Sequence, residues 1–487
     1  MRRVAALLGL SALGACSMDP HYVRPTPAIP PSWPQGDAYP RPNEAPLPTL
    51  SYRDMFRDAR LQAIIDQALT NNQDLRQALA NIQSARALYR VQRAEIFPAT
   101  DASAGTTTRR ASTQGGASAG GGSAGDRTST TYDVQAGTTA WEIDLFGRLR
   151  SLNRSAFNQY LASEAAARAT RLTLVANIAA TWLTLAADRS LLRIAEDTEK
   201  SAQTSVELTQ ARLNGGVAPR TDLRQAQTVL ATAQADRARQ TTLVAQDINA
   251  LRLLVGAAVA DTLLPNAIED ADGQLAELPA GLDSSILLLR PDVAEAEYQL
   301  RAANARIGAA RAAFFPRVAL TAVAGFASTA LSSLFTGGAF NWTVAPSATL
   351  PIFDGGANAG NLAYAKAQRE ANLAAYQKAI QTAFREVSDA LARRGTIDAE
   401  TRADQLNATA AEDTLNLSMA RYRQGIDPYL NTLDAQRTFY AARQTVVNIR
   451  LTKAKNLVDL YQTLGGDQLV EAQGTPRASG SPTLSPR

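Results

Sequence analysis

The sequence is written twice, and this duplication constrains the fold more than any other feature. Residues 61–256 and 284–465 carry the same ordered series of signals. Ala94-Glu95-Ile96-Phe97-Pro98 closes an amphipathic segment in the first half, and Ala313-Phe314-Phe315-Pro316 does so in the second. Trp141-Glu142-Ile143-Asp144-Leu145-Phe146-Gly147 matches Leu350-Pro351-Ile352-Phe353-Asp354-Gly355. Arg212-Leu213-Asn214-Gly215-Gly216-Val217-Ala218-Pro219 matches Arg421-Tyr422-Arg423-Gln424-Gly425-Ile426-Asp427-Pro428, and Leu254-Val255-Gly256 matches Thr463-Leu464-Gly465. The last two pairs are equally spaced, so the helices between them have equal length. Repeats of this kind set the architecture before any local pattern does.

Each half reads helix, strand, strand, very long helix, long helix. Residues 148–213 and 357–423 contain no Pro, and at 1.5 Å per residue each stretch makes a helix of roughly 100 Å. Tyr376, Ile380, Phe384, Val387 and Leu391 step by four and three, the spacing of a coiled-coil seam. Gly ends one helix and Pro starts the next at Gly216-Val217-Ala218 and Gly425-Ile426-Asp427, so both are helical hairpin tips preceding helices 219–256 and 428–464. Asp427 is placed to cap the helix that follows it, whereas Ala218 is a poor cap.

Strand-like alternation precedes each long helix, over about 97–112 and 130–146 and over about 315–328 and 340–353. Val318, Leu320, Ala322, Ala324 and Phe326 alternate with smaller or polar neighbours, as do Phe340, Trp342 and Val344. One greasy face per strand suits a transmembrane barrel. Pro346 counts against a central strand position. Residues 112–127 are rich in Gly, Ser and Ala and read as a surface loop. Four strands cannot close around a pore, and lipid does not tolerate open sheet edges, so the chain must associate. Closed symmetry favours a ring, and three copies would build a twelve-stranded barrel continued by a helical tube.

The ends of the chain add a location. Arg2 and Arg3 precede a short apolar run from Val4 to Leu13, too short to span a bilayer, so residues 1–15 read as a cleaved export signal. Leu13-Gly14-Ala15-Cys16 resembles a bacterial lipobox, with Cys16 as the lipidated residue of an N-terminal segment 16–60. It is the only Cys in the chain, and His21 is the only His. That usage leaves no zinc cluster, no disulfide framework and little acid–base chemistry. A net charge of +4 from 49 basic and 45 acidic residues, with no Lys/Arg run, gives no footprint for nucleic acid.

The duplicated tips, the motif Leu350-Pro351-Ile352-Phe353-Asp354-Gly355-Gly356 and the segment Tyr22-Val23-Arg24-Pro25 with Trp33 resemble the outer membrane factor family, the TolC-like efflux proteins, in its NodT-type lipoprotein branch. The resemblance spans about Tyr22 to Gly466. It implies an α+β membrane protein: a homotrimeric duct with a shared twelve-stranded outer membrane barrel and a long periplasmic α-helical barrel. An equatorial belt would come from the N-terminal segment, the linker 257–283 and the C-terminal tail 466–487. The implied partners are a periplasmic adaptor and an inner membrane transporter of the proton-driven resistance-nodulation-division class, with outer membrane lipid around the barrel. No cofactor is implied beyond the lipid on Cys16.

By the same resemblance, Asp434 matches an aperture-ring carboxylate and Leu430 an apolar constriction residue. Asn431 falls where some relatives carry a second Asp. Tyr422 matches a latch tyrosine, while the latch arginine falls at Asp427. The tips 216–218 and 425–427 would contact the adaptor. The competing functions are a duct for secreted protein or peptide, and a poreless periplasmic coiled-coil lipoprotein, which the paired alternating strands speak against. An enzyme is least favoured, because no nucleophile–His pair, metal cluster or phosphate loop stands out.

Overall fold

The computed structural model describes residues 17–27, 29–39, 51–111, 127–276 and 284–466. The first repeat contains helices α1 (Ala59–Asn71) and α2 (Gln73–Ala94), strands β1 (Asp101–Ala111) and β2 (Arg127–Ile143), and helices α3 (Arg148–Asn214) and α4 (Arg220–Val255). The second contains α5 (Pro291–Ala312), β3 (Arg317–Ser328), β4 (Phe340–Thr349), α6 (Ala357–Arg423) and α7 (Tyr429–Thr463). Short helical turns between residues 261 and 289 join the repeats. Helices α3 and α6 are both 67 residues long, as uninterrupted helix-forming sequence allows.

The repeats agree down to single hydrogen bonds. Ile96 N–H donates to the Arg93 carbonyl and Phe97 N–H to that of Ala94; Phe314 N–H donates to Arg311 and Phe315 N–H to Ala312 in the same way. These turns use Phe97 and Phe315 to end a helix. Each strand therefore begins later than the alternation predicts, at Asp101 and Arg317, beyond Pro98 and Pro316.

The chain forms two compact units. One holds the four strands with the adjoining residues 82–162 and 297–375 and the segment up to Pro25. Its sheet is antiparallel throughout in the order β1-β2-β3-β4. The segment after Ser17 is pinned here. The Asp19 carboxylate accepts from Ser151 Oγ (2.6 Å) and Arg154 Nε (2.6 Å), and Arg24 pairs with Glu297 at 2.7 Å.

The other unit holds residues 26–81, 163–296 and 376 onward. Its core gathers Met55, Phe56, Ile64, Ile178, Trp182, Leu251 and Tyr461, all buried. Burying each large apolar side chain contributes about 1.5–3 kcal/mol. Asn72 joins two helix ends in this unit: its Oδ1 accepts from Leu75 N–H and caps α2, and its Nδ2 donates to the Leu254 carbonyl of α4. Gly256 ends α4 with φ +72°, and a Cβ there would lie 2.7 Å from the Asn71 carbonyl oxygen. On α6, Tyr376, Ile380, Val387 and Leu391 are buried as the heptad spacing predicts, and Phe384 stacks on Trp33 at 5.1 Å.

Candidate functional site

The strand register aligns the alternating sequences of β2, β3 and β4 into two faces, while β1 adds Ala102, Ala104, Thr106 and Thr108 to the apolar side. Val134, Phe326 and Phe340 lie in one row across β2, β3 and β4, and Ala136, Ala324 and Trp342 in the next. The opposite face carries Asp133 and Gln135 of β2 with Asn341, Thr343 and Ser347 of β4. Side chains alternate with period two, so a single register error would mix the faces. The β2–β3 pairing slips between Thr138 and Trp141, where Ala140 adopts φ +53°. The extra residue keeps Trp141, opposite Leu320, on the apolar side. At Gly137 a Cβ would sit 2.2 Å from the Ala322 carbonyl oxygen, so this close approach of β2 and β3 requires glycine. Pro346 pairs with Leu320 in β4, an edge strand of the chain's own sheet, where a missing N–H is tolerated. Among the described residues no helix is long and apolar enough to cross a membrane.

The two hairpin tips lie in the helical unit. Gly216 and Gly425 take φ +72° and +76°, and Val217 and Ile426 N–H groups donate back to the Arg212 and Arg421 carbonyls. This is one motif used twice, with left-handed glycine closing the helix. Val217 and Ile426 are exposed at the tips, and Ala218 is half-buried. Asp427 does not cap α7, contrary to the expectation from sequence. Pro428 is extended at ψ 156° and is itself the cap residue, without a side-chain hydrogen bond. The Asp427 carboxylate instead takes two hydrogen bonds from Arg421, at 2.6 and 3.0 Å, which hold its pKa below the ordinary carboxylate value.

The first turns of α7 separate the predicted gate residues. Leu430, Asn431 and Asp434 share its exposed face, at helical spacings of three and four, and Leu430 is 57% exposed. The Asp434 carboxylate forms no ion pair with Arg437 among the described contacts. Tyr422 is elsewhere: it is buried in a small core with Ala226, Tyr429 and Leu433. Its ring lies 5.2 Å from that of Tyr429, and the Arg212 guanidinium sits over it at 4.7 Å. Arg212 Nη1 also donates to the Tyr422 carbonyl at 2.9 Å. Burial raises the Tyr422 pKa, and its hydroxyl has no hydrogen-bond partner.

Two features were missed from sequence. Arg212 bridges the two hairpins although it looks like a plain repeat of Arg421. Asp188 of α3 and Asp247 of α4 bring two carboxyls together. Burial first, and then Asp188, pushes the Asp247 pKa up to about 7. Cys16 lies outside the described residues, and among those residues no cluster of three or more His, Cys, Asp or Glu could hold a metal.

Comparison with known proteins bears on both repeats. The family model "Outer membrane efflux protein" matches residues 64–257 and 282–466. The toluene efflux pump outer membrane protein TtgC of Pseudomonas putida is 42% identical over 457 residues, 93% of each chain. OprJ of Pseudomonas aeruginosa, an outer membrane protein, is 40% identical over 465 residues, 95% of each chain. Among solved structures, the open state of the Neisseria gonorrhoeae MtrE outer membrane channel superposes with a TM-score of 0.82 at 35% identity, covering 93% of this chain and 99% of that one. With each repeat matched separately and the relatives aligned nearly end to end, this chain belongs to the outer membrane efflux protein family and is an outer membrane channel that serves as an efflux exit duct.

Proposed function

We propose that three copies of this chain join their sheets edge to edge into one twelve-stranded barrel, and that the assembly is the passive exit duct of a tripartite pump. The observation that carries this reading is the sheet itself. It has an apolar face across β2, β3 and β4, and its edges β1 and β4 would leave backbone groups unpaired in lipid unless another copy meets them. A periplasmic adaptor contacts the tips at Val217 and Ile426, whose exposed apolar side chains suit a protein partner. An inner membrane transporter of the resistance-nodulation-division class supplies the energy. The cargo is small molecules, a class supported by the toluene efflux relative. Cys16 carries lipid, and no enzymatic step is involved.

Leu430, Asn431 and Asp434 form the periplasmic aperture. Their common exposed face supports this, because three copies around an axis would turn that face into a ring. Like carboxylates held together draw cations into a narrow pore, and the adjoining apolar ring excludes water. Tyr422 acts behind this ring, as packing. Planar-bilayer recordings test the assignment: Asp434→Ala should lower cation selectivity and weaken block by multivalent cations at low salt, where screening is least. Unchanged selectivity and block would make Asp434 a solvated surface residue. Light scattering in mild detergent should give a trimer, and a monodisperse monomer with intact strand signal would sink the barrel.

A further inference from the structure

The helices of the two hairpins do not fill all the space between them. Ala202 of α3, Val229 and Ala233 of α4, Leu415 of α6 and Phe439 of α7 wall a cavity of about 140 Å³. Helix interiors are packed closely enough that such voids are few. An apolar cavity of about 150 Å³ takes up benzene, so this one has room for a single six-membered ring. The polar side chains in its wall are already satisfied. Thr198 Oγ1 donates to the Ile194 carbonyl (2.7 Å), Thr232 Oγ1 to that of Thr228 (2.9 Å), Gln436 Nε2 to Ser205 Oγ (3.1 Å) and the Tyr440 hydroxyl to Asp236 (2.9 Å). With these donors spent, the interior offers an occupant apolar contact rather than hydrogen bonds. The mouth differs. Arg443 pairs with Asp197 at 3.2 Å and lies over the Phe439 ring at 5.7 Å. Arg437, also at the mouth, is exposed and makes no hydrogen bond or ion pair among the described residues. Two guanidiniums thus face one carboxylate, and the surplus is positive.

We propose that this cavity binds a monocyclic aromatic acid, with the ring among α3, α4 and α7 and the anionic group on Arg437. An apolar enclosure with one polar anchor at its rim is the usual build of a small-molecule site. The planar guanidinium fork suits a carboxylate or sulfonate, and the uncompensated charge selects an anion over a cation of the same shape. The site lies within one chain and within its helical unit, so it stands whether or not copies associate. Its walls come from the hairpins of both repeats. An occupant therefore stabilises the arrangement in which those hairpins lie together, because it binds that arrangement and no other.

Titration calorimetry of the full chain in mild nonionic detergent tests this, with p-toluenesulfonate as the probe because it stays ionised and dissolves in water. Binding should saturate at one probe per chain. Benzylammonium carries the same ring and the opposite charge, and it should bind about tenfold more weakly. Arg437→Gln should weaken p-toluenesulfonate by about the same factor. Asp197→Asn removes the competing carboxylate and should tighten it by about threefold. Ala233→Leu fills the cavity and should abolish binding. Thr198→Leu fills it from α3 and decides the matter if Ala233→Leu does not fold. Amide exchange over 197–202 and 436–443 should slow when the probe is added. Absence of saturable binding overturns the site, as does binding that survives in the folded cavity-filling variants. Equal binding of the two ions, or an unchanged affinity in Arg437→Gln, overturns the assignment of an acid anchored on Arg437.

Discussion

At the first hairpin tip the Arg212 side chain leaves its own turn and reaches Tyr422 in the other repeat, whereas at the second tip Arg421 folds back onto Asp427 of its own turn. The backbones are the same: glycine at φ +72° and +76°, and the same pair of returning hydrogen bonds. The difference comes from one residue. Asp427 holds Arg421, and its counterpart Ala218 has nothing with which to hold Arg212. Duplication therefore sets where the turns lie, and departures from it decide which cation is free to tie the hairpins together. The faces beyond the tips diverge likewise, with Leu430, Asn431 and Asp434 of α7 standing where α4 has Thr221, Asp222 and Gln225.

The largest expected effect follows from that wiring. Arg212→Ala removes a charged hydrogen bond and a cation–π contact, together about 2 kcal/mol. Amide hydrogen exchange around Tyr422 and Gln424 should accelerate. Arg212→Lys should recover only part, because an ammonium keeps the charge and loses the planar stacking. Arg421→Ala should change exchange little, since the Arg421 side chain is more than half exposed and such pairs are screened. Ala218→Asp would copy the second tip's wiring into the first and draw Arg212 off Tyr422, with an effect approaching that of Arg212→Ala. Equal losses from Arg212→Ala and Arg421→Ala would erase the distinction between the tips.

The duplication, the two tips, the long helices and the strand pairs were legible because each leaves a local pattern of Gly, Pro or alternation. Strands β1 and β3 start later than the alternation predicts because Phe97 and Phe315 continue the apolar series while serving as helix-ending turns. The place of Asp427 before Pro428 predicts a cap, but Arg421, in the last turn of α6, competes for the same carboxylate. The exposed face shared by Leu430, Asn431 and Asp434 follows from helical spacing, whereas the burial of Tyr422 does not. That burial depends on α4 and α7 packing side by side with Ala226 and Tyr429, a contact between residues about two hundred positions apart. The Asp188–Asp247 pair depends on helix register in the same way.

That pair supplies the next contrast. The second repeat has Ile397 and Asn456 at the positions of Asp188 and Asp247, and Asn456 Nδ2 donates to the Ala390 carbonyl. Asp247 Oδ2 is buried without a partner, and two carboxyls can share a hydrogen bond only when one holds a proton. Among the described residues, the basic group that faces the pair from a neighbouring helix is Lys455 of α7, which lowers both pKa values without cancelling the effect of burial. With the folded pKa of Asp247 at about 7 and an ordinary value of 3.8, the native state binds more protons than the unfolded chain between those values. Stability is therefore fully present at the acidic end and falls as pH rises from about 4 to about 7. Asp247→Asn, which copies the second repeat, should raise the unfolding temperature at pH 8 and flatten its dependence over this window. An unchanged pH profile would mean that the carboxyls are solvated independently.

The smallest effect separates a latch from packing at Tyr422. Its counterpart in the first repeat is Leu213, so the aromatic ring is a departure peculiar to the second. The ring lies against Tyr429 and under Arg212, while the buried hydroxyl donates to nothing. A buried polar group without a partner is a cost, and Tyr422→Phe removes it while keeping the ring's shape. Unfolding temperature should stay the same or rise, by no more than the equivalent of about 1 kcal/mol. Resting conductance in planar bilayers should also stay the same, because no hydrogen bond is lost. Tyr422→Leu, which restores the first repeat's residue, should lose the aromatic pair and the cation–π contact, about 1–2 kcal/mol. If Tyr422→Phe instead raised conductance as much as Tyr422→Leu, the hydroxyl would be holding the tips closed through a partner on another copy, and Tyr422 would be a latch after all.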